Sequence, residues 1–220
     1  GNKGGTGKSM LATALIDAFL QRGVEPLLIE TDDANPDVFK AHGERIQCAA
    51  LSLDEADGWI EMVNSLDKTR GVPVVVNTAA RNSTGVARYG QTLKSTLGEL
   101  GRTMVTLWVI NRQRDSLELL ADYLDAMPAG ADHQVHVVRN GYFGSPEKFQ
   151  LYNGSQLKQR IEEGGGLTLD FPDLADRVAD QMATQRLTIQ GALKEMPLGH
   201  RAELIRWRDE AFKVLGQVMT

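Results

Sequence analysis

The sequence predicts an α/β fold, a doubly wound and mostly parallel sheet flanked by helices in three Rossmann-like layers. Short apolar runs of strand length alternate with longer amphipathic segments, an order typical of parallel strands joined by right-handed helical crossovers. A glycine-rich turn at residues 1–9 opens directly into one such amphipathic segment. The 220 residues, 42% of them apolar, suit one large domain over residues 1–220.

Each element follows from a local pattern. Strands are predicted where apolar and β-branched residues run between turn residues, at residues 26–30, 45–50, 72–77, 104–110, 135–139 and 167–170. Helices are predicted where apolar residues recur every three or four positions, at residues 8–22, 53–67, 86–101, 116–127, 146–163, 172–186 and 200–219. In sheets of this kind, ligands bind at the carboxyl ends of the strands.

The first nine residues read G-N-K-G-G-T-G-K-S and satisfy the phosphate-loop pattern G-x-x-x-x-G-K-[ST]. Glycines let successive backbone N–H groups turn toward a phosphate chain, and the following helix adds its partial positive charge. Lys8 is predicted to reach the β- and γ-phosphates, and the Ser9 hydroxyl is predicted to bind Mg²⁺. The predicted nucleotide-binding residues of this P-loop are Gly4, Gly5, Thr6, Gly7, Lys8, Ser9 and Met10.

The position of the loop predicts one further strand. A phosphate loop normally follows a buried strand, whereas this sequence starts inside the loop. We therefore expect the parent protein to have a short strand before Gly1, and without it the sheet would lack its central member.

The segment K-G-G-T-G-K-S resembles the deviant Walker A motif of the ParA/MinD/nitrogenase iron protein family of P-loop ATPases, of the SIMIBI class. In that family an early signature lysine crosses a dimer interface to the partner's nucleotide, which implies this role for Lys3, with Lys8 as the ordinary lysine. A cation from a second subunit neutralises phosphate charge much as an arginine finger does. The resemblance extends to about Leu174 and implies ATP and Mg²⁺ as cofactors, ATPase activity, and a homodimer formed on ATP binding.

The acidic turn after residues 26–30 resembles the family's switch I, with Glu30 and Asp32 in its two acidic places. The resemblance implies that Asp32 orients the attacking water and helps to hold the hydration shell of Mg²⁺. An acidic turn without a catalytic role is the alternative, because aspartate favours such turns. Asp33 stands where the family usually has proline, which predicts a more flexible loop.

The strand at residues 72–77 ends at the Walker B position, where Asn77 replaces the family's aspartate and Ala79 its proline. A neutral amide accepts hydrogen bonds from metal-bound water more weakly than a carboxylate does. This departure predicts weaker Mg²⁺ binding and slow or partner-dependent hydrolysis. Alternatively, Asn77 is an ordinary turn residue, and Glu30 and Asp32 complete the shell. Residues 78–83 would form switch II.

Two later residues match positions that bind the base in the family. Asn140 matches the strand-end asparagine that contacts the adenine edge, although a plain turn asparagine before Gly141 is the alternative. Pro172 matches a proline-containing loop that packs over the base. A helix N-cap at Asp170, with Pro172 in the first turn, explains that segment equally well.

Composition restricts the remaining possibilities. A net charge of −5 gives no global attraction to DNA or anionic lipid, so direct DNA binding would need a local patch such as Arg112 and Arg114. The single cysteine, Cys48, excludes an internal disulfide, is expected to be buried in a strand, and suits a cytoplasmic protein. The four histidines lack metal-ligand spacing. The C-terminal helix is expected to pack on the domain, and membrane binding is not expected.

The turn E-T-D-D-A-N-P-D-V and the strand end R-N-G-Y-F-G resemble ParA-like proteins encoded beside plasmid mobilisation, transfer and stability genes. The leading hypothesis is an ATP-dependent switch in plasmid partition, mobilisation or cargo positioning, with a second plasmid-encoded or DNA-binding protein as partner. A nucleotide-sensing adaptor with little hydrolysis is one alternative, which Asn77 favours. Another is a small-molecule P-loop enzyme of the dethiobiotin-synthetase type, against which Lys3 argues.

Overall fold

The structure, a computed structural model, describes residues 5–79 and 83–219. All six predicted strands are present, and the fourth has the predicted bounds. The strands are β1 (Leu27–Glu30), β2 (Cys48–Ala50), β3 (Val74–Asn77), β4 (Met104–Ile110), β5 (His133–Asn140) and β6 (Thr168–Phe171).

Helices occupy most of the segments between the strands, as the alternating pattern predicts. They are α1 (Lys8–Gln21), α2 (Asp37–His42), α3 (Ala56–Lys68), α4 (Ser83–Lys94), α5 (Leu97–Leu100), α6 (Arg114–Ala126), α7 (Gln150–Asn153), α8 (Gln156–Glu163), α9 (Asp176–Gln185), α10 (Ile189–Glu195) and α11 (Leu198–Leu215). Two short 3₁₀ turns, Gly141–Phe143 and Pro146–Lys148, follow β5.

Among the described residues the named strands pair with one another in parallel, in the orders β2-β1-β3 and β4-β5-β6. Parallel pairing agrees with the predicted fold class. Within the described ranges the strands form two three-stranded parallel sheets, in which β3 and β4 each pair with a single strand. The register of β1 and β3 places Glu30 opposite Asn77, so two polar residues meet at the carboxyl ends of these strands.

The helix that follows the P-loop packs against both sheets. Ile16 of α1 belongs to a buried cluster with Leu28 of β1 and Val75 of β3. Ala18, on another side of the same helix, belongs to a cluster that contains Val138 of β5. Because its buried positions are divided between two clusters, α1 joins the two sheets through side-chain packing.

The opposite faces of the sheets are covered by other helices, which completes the predicted three layers. Trp59 of α3 and Leu93 of α4 cluster with Ile29 of β1. Leu120 of α6 and Ile161 of α8 cluster with side chains of β4 and β5. These helices are amphipathic, and their apolar stripes lie toward the strands.

The C-terminal helix packs on the rest of the fold, which confirms the expectation for it. Leu204 and Trp207 of α11 are fully buried in the cluster that also contains α1. The Arg208 guanidinium donates two hydrogen bonds to the Asp17 carboxylate of α1, at 2.7 and 3.1 Å. No helix in the described part of the chain combines the length and the apolar character that crossing a bilayer requires.

Several helix bounds differ from the predictions. The helix predicted at 146–163 is interrupted before α8, where Ser155 provides an N-cap that accepts a hydrogen bond from the Lys158 amide at 3.3 Å. The helix predicted at 172–186 begins only at Asp176, and the one predicted at 86–101 divides into α4 and α5. The short helices α2 and α10 were not predicted, since neither spans two full turns of clear periodicity.

Cys48 is only half-buried, whereas a fully buried thiol was predicted. It lies on β2, at the edge of its sheet. Burial and, to a smaller extent, the negative charge of Glu30 raise the pKa of the Cys48 thiol to about 11. The thiol therefore stays protonated near neutral pH, and a protonated thiol is a poor nucleophile.

His42, at the end of α2, is buried without a hydrogen-bond partner for either ring nitrogen among the described residues. Burial and the nearby charge of Arg45 lower the pKa of His42 to about 4, against an opposing effect of Asp17. The fold thus favours the neutral ring. Its stabilising contribution is complete above the unfolded pKa of about 6.5 and is lost as the pH falls toward 4.

We expect the free energy of unfolding to fall by about 2 kcal/mol more between about pH 7 and pH 5 in the parent protein than in a His42→Leu variant. Leucine fills a similar volume without titrating. Urea unfolding at both pH values measures the difference. His133 and His136, whose pKa values burial also lowers, are present in both proteins and cancel in the comparison. Equal losses in the two proteins would contradict the prediction.

Candidate functional site

The P-loop enters α1 through two glycines in the left-handed region, Gly5 at φ +79° and Gly7 at φ +97°. Gly7 is the N-cap residue of the helix, and its carbonyl accepts a hydrogen bond from the Leu11 amide at 3.0 Å. Thr6, between the two glycines, is buried, and its hydroxyl has no hydrogen-bond partner in the part of the chain that is described. The predicted start of the helix at the end of the glycine-rich turn is confirmed.

Asn140, at the end of β5, lies directly against this loop. Its side-chain Nδ2 donates a hydrogen bond to the Thr6 carbonyl at 2.9 Å, and its Oδ1 accepts one from the Tyr142 amide at 3.1 Å. A Cβ atom on Gly7 would lie only 2.3 Å from Asn140 Nδ2. Glycine is therefore required at position 7 for two reasons. Its backbone angle is unfavourable for any other residue, and the Asn140 side chain leaves no room for a Cβ atom.

Asn140 lies at the site, as predicted, but its observed contacts are with the protein backbone, a structural role that the sequence did not indicate. The amide fixes the P-loop backbone and the turn that follows β5. An amide has two hydrogens and two oxygen lone pairs, so one donor and one acceptor remain for a ligand. Contact with an adenine edge stays a prediction, and it would use this remaining capacity.

Lys8 and Asp32 lie close enough for their charges to interact, although they come from α1 and from the turn after β1. Burial lowers the pKa of the Lys8 ammonium, and the negative charge of Asp32 opposes this effect. Asp32 Oδ1 accepts a hydrogen bond from the Asn35 amide at 3.1 Å, which fixes the acidic turn. A partly desolvated ammonium gains strongly from an anionic ligand, as a phosphate would be.

Glu30 and Asn77 form a buried pair that sequence reasoning missed. Asn77 Nδ2 donates to both carboxylate oxygens of Glu30, at 2.9 and 3.1 Å, and the Asp32 amide donates to Glu30 Oε1 at 3.0 Å. Burial raises the pKa of Glu30, against the lowering effect of these donors. The available signal was the pairing of the two predicted strands, since parallel neighbours bring their carboxyl ends together.

The segment after β3 is tied to β1 through Thr31. Its hydroxyl donates to the Asn77 carbonyl at 3.1 Å and accepts from the Ala79 amide at 3.2 Å. These bonds continue the β1–β3 pairing past the last sheet residue. The predicted switch II, residues 78–83, is described only at Thr78, Ala79 and Ser83, so most of it lies outside the described residues.

The residues of this site fit a hydrated Mg²⁺ ion better than a metal caged by protein ligands. The described ranges contain no cluster of three or more His, Cys, Asp or Glu side chains placed to hold a metal. Ser9 is exposed on the first turn of α1, and Asp32 is half-buried. Asn77 Oδ1 is buried without a partner among described residues. Mg²⁺ prefers oxygen donors and usually keeps several waters, which such a sparse set of oxygens suits.

Pro172 lies in a loop between β6 and α9, where it lines a cavity of about 430 Å³ together with Gly141 and Phe171. The Pro172 carbonyl accepts a hydrogen bond from the Trp207 indole at 2.9 Å, so α11 supports the loop. The alternative of an N-cap at Asp170 is wrong, since α9 begins at Asp176. The Asp170 carboxylate instead pairs with Arg139 at 2.7 Å.

The other predicted site residues are placed as follows. Lys3 and Gly4 lie outside the described residues, so the crossing lysine stays a prediction. Met10 is half-buried in the first turn of α1. Arg112 is exposed before α6, and Arg114 pairs with Glu118 of the same helix at 3.2 Å. Neither arginine contributes to the P-loop contacts described above.

Comparisons with known proteins agree with the geometry of the loop. Residues 1–138 match the profile of the CobQ/CobB/MinD/ParA nucleotide-binding domain. The chain is 57% identical over 219 residues to Protein MobD of Acidithiobacillus ferrooxidans, covering 100% of this chain and 95% of that protein.

Solved structures share the fold at low identity. The MinD cell division protein of Aquifex aeolicus is similar with a TM-score of 0.53 and 13% identity, over 100% of this chain and 96% of that one. The MinC:MinD cell division protein complex of the same organism gives 0.50 and 12%, over 100% and 95%.

The profile covers more than half of the chain, and it contains the P-loop, Asp32 and Asn77. The resemblance inferred from the P-loop is therefore confirmed at the level of the family. Together with the glycine-bounded loop at the start of α1, these matches show that the chain belongs to the CobQ/CobB/MinD/ParA family of nucleotide-binding P-loop proteins.

Proposed function

We propose that this protein is an ATP-dependent molecular switch that binds ATP with Mg²⁺ in the P-loop, dimerises on binding, and hydrolyses the nucleotide slowly in the cytoplasm. The observation that carries the proposal is the partly desolvated ammonium of Lys8, which stands at the start of α1 beside the backbone turn of Gly5 and Gly7. Such a cation with inward-turning amides is suited to a chain of phosphates.

Different side chains of this site bind the phosphates, orient the attacking water and hold Mg²⁺. Lys8 binds the outer phosphates, and the P-loop amides bind the phosphates closest to α1. Asp32, fixed by the Asn35 amide, accepts hydrogen bonds from water in front of the terminal phosphate and orients it for attack. Mg²⁺, when bound through Ser9 and water, supplies positive charge that stabilises the phosphate oxygens. In this proposal Pro172 packs over the adenine base of ATP, and Asn140 contacts its edge.

The proposed output is mobilisation of plasmid DNA through a partner. The relative that is 57% identical over the whole chain is named MobD, which supports a role in mobilisation. The net charge of −5 favours contact with a second plasmid-encoded or DNA-binding protein over direct DNA binding. One of the similar solved structures is a complex of MinD with MinC, which supports a switch that acts on a protein partner.

The P-loop lysine provides the direct test. We expect Lys8→Ala to weaken binding of a fluorescent, non-hydrolysable ATP analogue by about 100-fold, or about 2.7 kcal/mol, because the phosphates lose their principal cation. Lys40→Ala, which removes an exposed lysine of α2, is the matched control and should bind as the parent does. Equal affinity of the parent and the Lys8 variant would rule out this site.

Lys3 tests the dimer separately. Lys3→Ala should bind the analogue but remain monomeric in light scattering, because the partner's nucleotide loses its crossing cation. Dimer formation at the parent's ATP concentration would show that Lys3 does not supply the crossing cation.

A second candidate is a nucleotide-sensing adaptor that binds ATP but barely hydrolyses it. The observation that favours it is the hydrogen bonding of Asn77, whose Nδ2 is occupied by Glu30 and whose side chain carries no charge. Single-turnover hydrolysis with and without partner proteins separates the two candidates. Turnover that stays negligible with every partner favours the adaptor.

A further inference from the structure

The carboxyl ends of β1 and β3 bring one acidic and one amide side chain together. Glu30 and Asn77 face each other in the register of the parallel pair, and Glu30 is 1% exposed while Asn77 is 3% exposed. A carboxylate is rarely buried to this extent unless it is paired or hydrogen-bonded. Here the pairing is provided by an amide, because the side-chain NH₂ group of Asn77 spans both carboxylate oxygens.

The contacts of this pair suit an ionised glutamate. An ionised carboxylate only accepts hydrogen bonds, and Glu30 accepts from Asn77 Nδ2 and from the Asp32 amide. Asn77 cannot rotate its amide without directing its own oxygen at the carboxylate. Its Oδ1 is thereby turned away from Glu30, and it has no other partner within the described ranges. The pair therefore offers a fixed negative charge and one fixed acceptor oxygen.

We propose that Glu30 carries the buried negative charge of this site and that Asn77 is its positioning residue, so that the two strand ends share one acid and one amide in place of two acids. The inference rests on the proposed function, since the charge would act on the hydration shell of Mg²⁺ beside Asp32. In this arrangement Asn77 is not a weakened metal ligand. It replaces a carboxylate that would have stood against Glu30.

This pairing changes the expected effect of restoring the family's aspartate at position 77. Asn77→Asp places a second carboxylate about 3 Å from the first, and like charges at this distance disfavour each other strongly. The variant is thus expected to lose function and stability. Glu30→Gln removes the charge and turns one acceptor oxygen into an NH₂ donor, so Asn77 keeps two hydrogen bonds to it by turning its amide to present both Nδ2 and Oδ1. The double variant Glu30→Gln/Asn77→Asp restores one acid and one amide in the opposite order.

The experiment compares the parent, both single variants and the double variant by two measurements. The first is the Mg²⁺ concentration for half-maximal binding of a non-hydrolysable fluorescent ATP analogue. The second is the thermal midpoint without nucleotide. We expect Glu30→Gln to need at least about tenfold more Mg²⁺ at a near-parental midpoint. We expect Asn77→Asp to melt about 5 °C or more below the parent.

The double variant should return both measurements most of the way to the parent's values. Glu44→Gln, the same substitution at an exposed position near α2, is the matched control and should change neither. A double variant that needs as much Mg²⁺ as Glu30→Gln would overturn the inference. So would an Asn77→Asp variant that binds with less Mg²⁺ than the parent at an unchanged midpoint. A parent that binds no analogue at any Mg²⁺ concentration overturns the proposed function itself.

Discussion

Replacing Gly7 with alanine is expected to lower the free energy of unfolding by about 3 kcal/mol and to abolish tight nucleotide binding. The left-handed backbone at φ +97° costs about 1–2 kcal/mol for any residue with a Cβ atom. The new Cβ would also lie 2.3 Å from Asn140 Nδ2, so the buried bond from Asn140 to the Thr6 carbonyl must break or the loop must move. An unpaired buried carbonyl adds a further cost of about 1–3 kcal/mol.

Gly5→Ala is the matched control for this prediction. Gly5 has a similar backbone angle, φ +79°, but a Cβ atom there would meet nothing within 4 Å. Its substitution should therefore cost only the backbone term of about 1–2 kcal/mol. In an Asn140→Ala background the overlap is absent, and Gly7→Ala should then cost no more than Gly5→Ala. Urea unfolding measures all of these differences. Equal costs at the two glycines in the parent background would show that Asn140 does not restrict the loop.

Removing Arg208 is expected to cost about 3 kcal/mol of stability, because it leaves the Asp17 carboxylate buried without its cation. The Asp17 side chain is 4% exposed and that of Arg208 is 22% exposed, so water cannot replace the pair. Gln21 Nε2 also donates to Asp17 at 2.8 Å, but an amide supplies no compensating charge. Arg208→Leu should therefore lower the midpoint of thermal unfolding and loosen the packing of α11 on α1.

Two comparisons make this prediction specific to the buried pair. Arg206→Leu removes an arginine of the same helix whose partners, Glu203 and Glu210, are solvent-accessible, and it should cost less than about 1 kcal/mol. The double variant Asp17→Leu/Arg208→Leu leaves no buried charge and should recover most of the stability. If the double variant is less stable than Arg208→Leu alone, the pair is not the source of the loss.

The strands and the P-loop were predictable because each depends on a local pattern. The run Met104–Ile110 is apolar and β-branched between turn residues, and it forms a strand with the predicted bounds. The start of α1 was equally clear, since Gly7 and Lys8 belong to a motif with a defined geometry. Helix bounds were harder to predict where the decision depends on tertiary contacts. For example, the first residues of the helix predicted at 172–186 form a loop instead, because the Trp207 indole donates a hydrogen bond to the Pro172 carbonyl.

The chemistry of the site was only partly predictable, because side-chain contacts depend on which strands are neighbours. Asn77 was identified as a departure from the Walker B pattern, but its partner Glu30 is 47 residues away. Asn140 was identified as a site residue, yet its bond to Thr6 joins residues 134 positions apart. Neither contact has a signal in the local sequence. The contact between Glu30 and Asn77 follows once β1 and β3 are known to be parallel neighbours, whereas the contact of Asn140 also depends on how α1 packs against β5.

Two consecutive residues of α11 contact different parts of the molecule: Trp207 holds the loop at Pro172, and Arg208 holds α1 through Asp17. Neighbouring residues of a helix differ by only about 1.5 Å along its axis and about 100° around it. The single helix α11 therefore fixes the distance between the loop at Pro172 and α1, the helix that follows the P-loop. If the base of a nucleotide binds at Pro172, as we propose, α11 sets the width of the binding site without contributing to any Walker motif.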